Sequence, residues 1–146
     1  MLNDLFHNRV LWIAIACWLI AQVLKVILYA LHYKEFSFER FFGSGGMPSS
    51  HTSTVCGLAV GMARVYGLDS PLFAVSLILA IIVMYDATGV RRAAGEHARV
   101  LNQILFSDPE KMTPSQKALK ELLGHTPLEV LGGAILGIGL GLIMPV

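Results

Sequence analysis

The sequence predicts an all-α membrane protein, an integral helical bundle of four or five helices in one membrane-embedded domain that covers residues 1–146. Hydrophobic residues make up 55% of the chain and charged residues only 14%, about half the charged fraction of a soluble domain. A soluble domain of this length could not bury so much apolar surface. The apolar residues form runs without strand-like alternation, which favours helices as the spanning elements.

Charge and cysteine content exclude several classes of protein. A net charge of +1 gives no long-range attraction for polyanions, so nucleic acid is not an expected partner. Cys17 and Cys56 lie inside apolar runs, which favours two buried small side chains over a disulfide framework. Carboxylates do not cluster at ligand spacing near the histidines, so neither a metal nor another cofactor is expected.

The first predicted helix runs from Val10 to Leu31 and is long enough to cross a hydrocarbon core of ~30 Å. We expect a retained span and not a signal peptide, because the apolar run is long and Asp4 precedes it. Lys25 interrupts the run. A side chain that reaches the nearer interface is the favoured interpretation, and a cation that faces a polar cavity is the alternative.

Three further apolar runs predict the other spans. They are Thr52 to Tyr66, Leu72 to Met84 and Leu128 to Val146. Pro71 suits the first turn of the second of these helices. Two of the runs are short, which favours a bundle whose functional end is not covered by lipid.

Small residues recur at four-residue spacing in two of the runs. The two stripes are Ser53, Gly57 and Gly61, and Gly133, Gly137 and Gly141. Such stripes let helices approach closely in lipid. Packing within one chain is favoured, and a homo-oligomer through these Gly-x3-Gly faces is the alternative.

Two polar clusters carry candidate chemistry. Pro48 to His51 begins a predicted helix, where serine is a good cap and free backbone N–H groups bind anions, phosphate above all. Arg91 to His97 brings guanidinium groups that match phosphate oxygens, although lipid-headgroup anchoring is the alternative. The residues expected to bind an anion are Lys34, Arg40, Ser49, Ser50, Arg91 and Arg92.

The order of the runs predicts that both polar clusters lie on one side of the membrane. If the first helix goes from side A to side B, the polar loop at 32–50 lies on side B. The next two runs return the chain to side A and then bring residues 86–97 back to side B. Whether residues 90–105 cross the membrane, re-enter it or lie on its surface is left open at this stage.

These clusters resemble the type-2 phosphatidic acid phosphatase superfamily, which is related to the vanadium-dependent haloperoxidases, and within it the short divergent bacterial branch. The tetrapeptide Pro48-Ser49-Ser50-His51 resembles the superfamily block Pro-Ser-Gly-His. Arg91 and His97 keep the Arg-x5-His spacing of a block that continues as His-x3-Asp. Lys34 and Arg40 resemble a third block, and the resemblance to the divergent branch covers Val10 to Val146.

The chain also departs from the superfamily pattern. Leu101 stands where an aspartate is expected four residues after His97, and Val90 replaces the serine before Arg91. Asp86 and Glu96 are the nearest substitutes for the carboxylate. His97 and Arg91 share one side of the chain only if Gly95 breaks the helix, because six helical residues turn a side chain by roughly 120°.

The resemblance implies a membrane enzyme that hydrolyses a lipid phosphate or pyrophosphate at the membrane surface without a metal. It assigns His97 as the nucleophile, His51 as the acid and base, and Asp86 as the catalytic carboxylate. Lys34, Arg40 and Arg91 would hold the phosphoryl oxygens. The alternative is a non-catalytic protein that binds or translocates a phospholipid or polyprenyl phosphate. A lipid phosphate and membrane lipids are the expected partners.

The expected location is the cell membrane, with several spans and the site on the outer face. With the site cations set aside, side A holds Arg9 and Arg64, and the positive-inside rule makes that side cytoplasmic. Three lysines of residues 106–126 join side A only if residues 90–105 cross. The resemblance favours the same orientation, because many bacterial members of the superfamily act on the outer face.

Overall fold

The computed structural model describes residues 2–34, 46–105, 118–119, 121 and 123–146. Within these ranges the chain forms one short helix, five longer helices and no strand. The helices are α1 (Leu2–Phe6), α2 (Arg9–Tyr33), α3 (Ser50–Tyr66), α4 (Pro71–Thr88), α5 (Val90–Leu105) and α6 (Pro127–Ile143). The predicted all-α membrane bundle is confirmed, and α1 is an additional short helix before the first span.

Hydroxyl side chains set the starts of three helices. Each accepts a hydrogen bond from a backbone N–H three residues further on, which satisfies one of the free donors of the first turn. These caps are Ser49 for α3, Ser70 for α4 and Thr126 for α6. Glu129 completes a capping box on α6 by accepting the N–H of Thr126 at 2.8 Å.

The central helix α3 packs against α2, α4 and α6. A Cβ added to Gly57 of α3 would meet Cys17 of α2, and one added to Gly61 would meet Val10. Residue numbers therefore fall along α2 as they rise along α3, so the two helices are antiparallel. Side B is the end of the bundle at which α2 ends and α3 begins, and side A is the opposite end.

A glycine seam joins α3 to α6. A Cβ on Gly133 would lie 2.4 Å from the carbonyl oxygen of Ser49, and one on Gly137 would lie 2.3 Å from that of Ser53. Both contacts advance by four residues in the same direction, so α3 and α6 run parallel and both begin at side B. The Gly-x3-Gly stripe of α6 is therefore occupied by packing within the chain, as the sequence analysis favoured.

The bundle carries its large apolar side chains outside and its small ones inside. The buried residues of α4 are Ser76, Ala80 and Ala87, whereas Ile78 and Ile82 are 55% and 58% exposed. This arrangement is the reverse of a soluble protein and is typical of helices that pack in lipid. By length and composition, α2 and the stretch Pro71–Leu105 can each cross a membrane, and α6 is a shorter apolar helix.

Helix α5 extends from the end of α4 at side B. The N–H of Gly89 donates to Tyr85, and the N–H of Ala93 donates to Gly89, so helical hydrogen bonding continues through the junction. Arg91, Glu96 and the other charged residues of α5 are exposed. A helix this polar and this exposed does not cross the hydrocarbon core as a lipid-facing span.

The chain after α5 returns along the same helix. The side-chain amide of Asn102 donates to the carbonyl of Leu119 at 2.8 Å and accepts the N–H of Leu119 at 2.8 Å. Gly95 leaves room for this return, because a Cβ there would lie 2.4 Å from the carbonyl oxygen of Glu121. The N–H of His125 then donates to the carbonyl of Ala87 at 2.9 Å, which brings the chain to the start of α6 at side B.

Candidate active site

A cavity of about 340 Å³ lies at side B, between the start of α3, the junction of α4 with α5 and the chain before α6. It is about ten times the ~30 Å³ that one water occupies, so it can admit a phosphoryl group. The residues that line it are His51, Val83, Asp86, Ala87, Arg91, Ala94, Leu123, Gly124 and His125. Two histidines, one arginine and one carboxylate therefore come together from four separate parts of the chain.

The start of α3 places His51 at the exposed part of the cavity. The hydroxyl of Ser49 accepts hydrogen bonds from the backbone N–H of Thr52 at 3.4 Å and from its hydroxyl at 3.0 Å. The N–H of Ser49 donates to the carbonyl of Glu129 at 3.0 Å, which joins the start of α3 to α6. Ser49 and Ser50 are buried beneath His51 and support it; neither lines the cavity.

Asp86 and Arg91 face each other across the α4–α5 junction. The Nε of Arg91 donates to a carboxylate oxygen of Asp86, and the two side chains form a partly exposed ion pair. Among the described residues the terminal Nη groups of Arg91 make no other hydrogen bond, so they can bind an anion in the cavity. The structure therefore brings together the predicted residues His51, Asp86 and Arg91.

His125 is the cavity residue that the sequence analysis missed. Its side chain is 6% exposed, and neither ring nitrogen has a hydrogen-bond partner among the described residues. A buried polar group without a partner costs about 1–3 kcal/mol, so this imidazole is held in place at a cost to stability. Burial is the largest cause that lowers the pKa of His125, and nearby positive charge lowers it further.

Local sequence features fix His125 in this position. Gly124 has a φ of +80°, and a Cβ there would lie 2.5 Å from the backbone nitrogen of Arg92, so a larger residue does not fit. Thr126 caps α6 directly after the histidine, and Pro127 occupies the first turn. His125 also stands four residues before Glu129, the His-x3-carboxylate spacing that His97 and Leu101 lack. A search for that spacing along the whole chain would have identified it.

Helix α5 does not bring His97 to the cavity. The helix is unbroken from Val90 to Leu105, and Gly95 accommodates the returning chain without bending it. His97 therefore stays exposed on a different face from Arg91 and does not line the cavity. Arg92 also points elsewhere, since it pairs with Glu96 at 3.4 Å on the exposed surface.

The predicted anion-binding pair Lys34 and Arg40 is not among the described residues that line the cavity. Lys34 is the exposed residue that ends α2, and it does not line the cavity. Arg40 lies outside the described residues.

Lys25 is buried inside the bundle. Its side chain is 4% exposed, so the interpretation of a lysine that reaches the interface is wrong, and Lys25 does not line the side B cavity either. Its methylene carbons would lie 3.4–3.5 Å from a Cβ on Gly46, and its charge acts electrostatically on both His51 and His125. Lys25 also lines a second cavity of about 540 Å³, most of whose other lining residues are apolar or aromatic.

Two helices begin beside the cavity at side B. Because α3 and α6 are parallel, the positive ends of their dipoles lie there, whereas α2 ends at side B and α4 continues into α5. Lys25 and Arg91 add two cations, with Asp86 and Glu129 as the nearby carboxylates. No group of three or more His, Cys, Asp or Glu among the described residues is arranged to hold a metal ion. The arrangement can bind an anion and move a proton.

Comparisons with known proteins place this geometry in a family context. Residues 6–140 match the sequence model of a family described as the Divergent PAP2 family. The chain is 43% identical over 152 residues to a Bacillus subtilis (strain 168) protein named "Uncharacterized membrane protein YuiD", an alignment that covers 97% of this chain and 96% of the relative. No solved structure gives a significant match.

Proposed function

We propose that this chain, which belongs to the divergent PAP2 family, hydrolyses a lipid phosphate or pyrophosphate without a metal ion. The observation that carries the proposal is the side B cavity, where His51 lies with Arg91 and a second, buried histidine, His125. A basic collar that only anchors headgroups would not require two histidines to converge beside the arginine.

The cavity groups suit phosphoryl transfer. This reaction needs positioning and neutralisation of charge on the phosphoryl oxygens more than covalent help from the protein. Arg91 supplies a planar donor that matches those oxygens, and Lys25 adds a second positive charge close to both histidines. His51 can donate a proton to the leaving oxygen and take one from water, the two roles of a histidine in general acid–base catalysis.

The second cavity supports an amphiphilic substrate. It is lined by Lys25 together with Leu28, Tyr29 and Met47, and it lies beside the exposed apolar surface of α2. Lys25 thus borders the second cavity and also acts electrostatically on His51 and His125 of the side B cavity. A molecule with a hydrocarbon chain and a phosphate group matches a largely apolar cavity beside the cationic and histidine groups better than a fully polar phosphate ester does.

Release of inorganic phosphate from a panel of lipid phosphates tests the proposal. The purified protein in excess EDTA should release phosphate, and His51→Ala should reduce the rate by about 10²–10⁴-fold. His7→Ala is the matched control, because His7 is exposed at side A and, among the residues that the structure describes, its ring bonds only to the carbonyl of Asn3 at 2.7 Å. Tight binding of a lipid phosphate without any release by the wild type would favour the non-catalytic binding or translocation function.

The orientation we propose differs from the sequence expectation. Arg91, Arg92 and Arg99 of α5 extend from side B, and Asn102 holds the returning chain on that side. In the sequence analysis, the three lysines of residues 106–126 count toward side A only if residues 90–105 cross the membrane. Without that crossing, the positive-inside rule makes side B cytoplasmic, so the proposed substrate is a lipid of the inner leaflet.

Cysteine labelling in intact cells tests this orientation. Val100→Cys reports on side B and Leu68→Cys on side A, since both residues are exposed, whereas the native Cys17 and Cys56 are buried. A membrane-impermeant thiol reagent should label position 68 in intact cells and position 100 only after permeabilisation. The opposite pattern would restore the outer-face site.

A further inference from the structure

We infer that His125 is the nucleophile of the proposed reaction and that His97 is not. The inference rests on the proposed phosphatase function and assigns a role to a residue outside the motif that the superfamily resemblance used. The geometry carries it: His125 lines the cavity that holds His51 and Arg91, and His97 is on a different face of α5.

The two cavity histidines differ in solvent exposure, which suits them to different roles. His51 is exposed, so it can exchange protons with water, which suits an acid and base. His125 is buried without a hydrogen-bond partner on either ring nitrogen among the described residues. A nucleophile needs an unprotonated nitrogen lone pair, and burial of the ring favours the neutral imidazole. The cost of leaving that ring without partners is recovered when it contacts a phosphoryl group.

The surroundings of His125 suit a ring that becomes positively charged. Glu129 lies one helical turn further on, and its carboxylate interacts electrostatically with the histidine. When phosphorylation places positive charge on the imidazole, that carboxylate stabilises it. The capping box holds Glu129 in place, because the carboxylate accepts the N–H of Thr126.

The reaction balances in two steps. One ring nitrogen of His125 forms a bond to phosphorus, the bond from phosphorus to the leaving oxygen breaks, and that oxygen takes a proton from the protonated His51. Neutral His51 then removes a proton from water as the water oxygen bonds to phosphorus. The phosphorus–nitrogen bond breaks, its electron pair returns to His125, and inorganic phosphate is the second product.

Trapping the phosphorylated enzyme tests the assignment. Wild-type protein is mixed with a radiolabelled lipid phosphate, quenched in alkali, in which phosphohistidine survives, and digested with trypsin. The three candidate histidines fall on three different tryptic fragments: residues 41–64 with His51, residues 93–99 with His97, and residues 121–146 with His125. We expect the label in fragment 121–146.

Variants give a second measurement. His125→Gln should abolish the label and reduce phosphate release by more than about 10³-fold, whereas His97→Gln should be labelled in the same fragment as the wild type. In His125→Gly, added imidazole should restore phosphate release, because it can occupy the emptied position and act as the nucleophile. His125→Gln should keep the unfolding temperature of the wild type within a few degrees, since the ring makes no hydrogen bond among the described residues.

Each other outcome has a defined meaning. Label in fragment 93–99 or 41–64, or phosphate release with no labelled fragment at all, overturns the assignment of His125 and leaves the phosphatase function standing. Absence of phosphate release by the wild type overturns the proposed function itself.

Discussion

Cationic side chains have different roles at the two ends of the bundle. At side A, the guanidinium of Arg64 donates to the carbonyls of Gly141 and Met144, both at 2.6 Å, and Arg9 donates to the carbonyl of Val146. These carbonyls lie at the end of α6, where the helix dipole is negative. At side B, Lys25 and Arg91 act electrostatically on His125, which directly precedes the cap of α6, where the helix dipole is positive.

This difference distinguishes cations that stabilise the fold, at side A, from cations that are available to bind an anion, at side B. The arginines of side A satisfy carbonyls that the end of a helix leaves free. The cations of side B lie close to the starts of α3 and α6, where a helix dipole disfavours a cation and favours a bound anion. We therefore expect substitutions at side A to change stability and substitutions at side B to change activity.

Among substitutions of the arginines at the two ends, Arg91→Gln should have the largest effect, and that effect is on the rate. The substitution removes a donor to the phosphoryl oxygens, and loss of one such donor lowers rates by about 10²–10³-fold. The unfolding temperature should stay within a few degrees of the wild type, because the pair with Asp86 is partly exposed and contributes little. Phosphate release and thermal unfolding, measured on the same preparation, check both parts. A loss of stability equal to that of a side A variant would break the comparison.

The glycine seam, which aligns the two helix starts at side B, gives the next largest effect. Gly137→Ala places a methyl group 2.3 Å from the carbonyl oxygen of Ser53, so we expect a loss of about 1–3 kcal/mol of unfolding free energy. Gly139→Ala is the matched control, because a Cβ there has nothing within 4 Å. Chemical denaturation of both variants in one detergent measures the difference. Equal stabilities would show that α3 and α6 do not pack as described.

Arg64→Gln should destabilise the protein while leaving the chemistry intact. The substitution removes the charged donor to Gly141 and Met144, which should lower the unfolding free energy by about 1–2 kcal/mol. Phosphate release at a temperature well below unfolding should stay within twofold of the wild type. A large loss of activity in the folded variant would mean that side A contributes to the site.

The smallest expected effect is a pH dependence of stability. Since the pKa of His125 is lowered in the folded protein, the unfolded chain binds a proton that the folded state does not, once the pH falls below about 6.5. Stability should therefore fall between pH 7.5 and pH 5.5, and less so in His125→Gln. The charged and titratable groups around this histidine are Lys25, His51, Asp86, Arg91 and Glu129. Thermal unfolding across this range measures the difference, and identical pH profiles would contradict it.

The fold could be predicted from the sequence because a helix that crosses lipid requires a long apolar run, which is easy to identify. The apolar run from Val10 to Leu31 became α2 from Arg9 to Tyr33, and the run from Leu72 became α4, which begins at Pro71. Helix starts were read well where a hydroxyl cap or a proline marks them. The position of Lys25 was misread, because a single lysine in an apolar run does not reveal which face of the helix meets the other helices.

The candidate site could be predicted only in part. His51, Asp86 and Arg91 were found because the alternation of spans places the start of α3 and the end of α4 on one side. His125 was missed because its position depends on long-range contacts, above all the tether between Asn102 and Leu119. His97 was favoured for its spacing from Arg91, but an unbroken helix turns residues at that spacing away from each other.

Binding of orthovanadate, a phosphate-like anion, tests most directly the claim that side B is an anion site. Vanadate should raise the unfolding temperature of the wild type in a saturable way, because a ligand at 100 times its Kd adds about 2.7 kcal/mol to stability. Arg64→Gln should show the same increase from a lower starting temperature, and Arg91→Gln should show little or none. An equal increase in the two variants, or none in the wild type, would contradict the account.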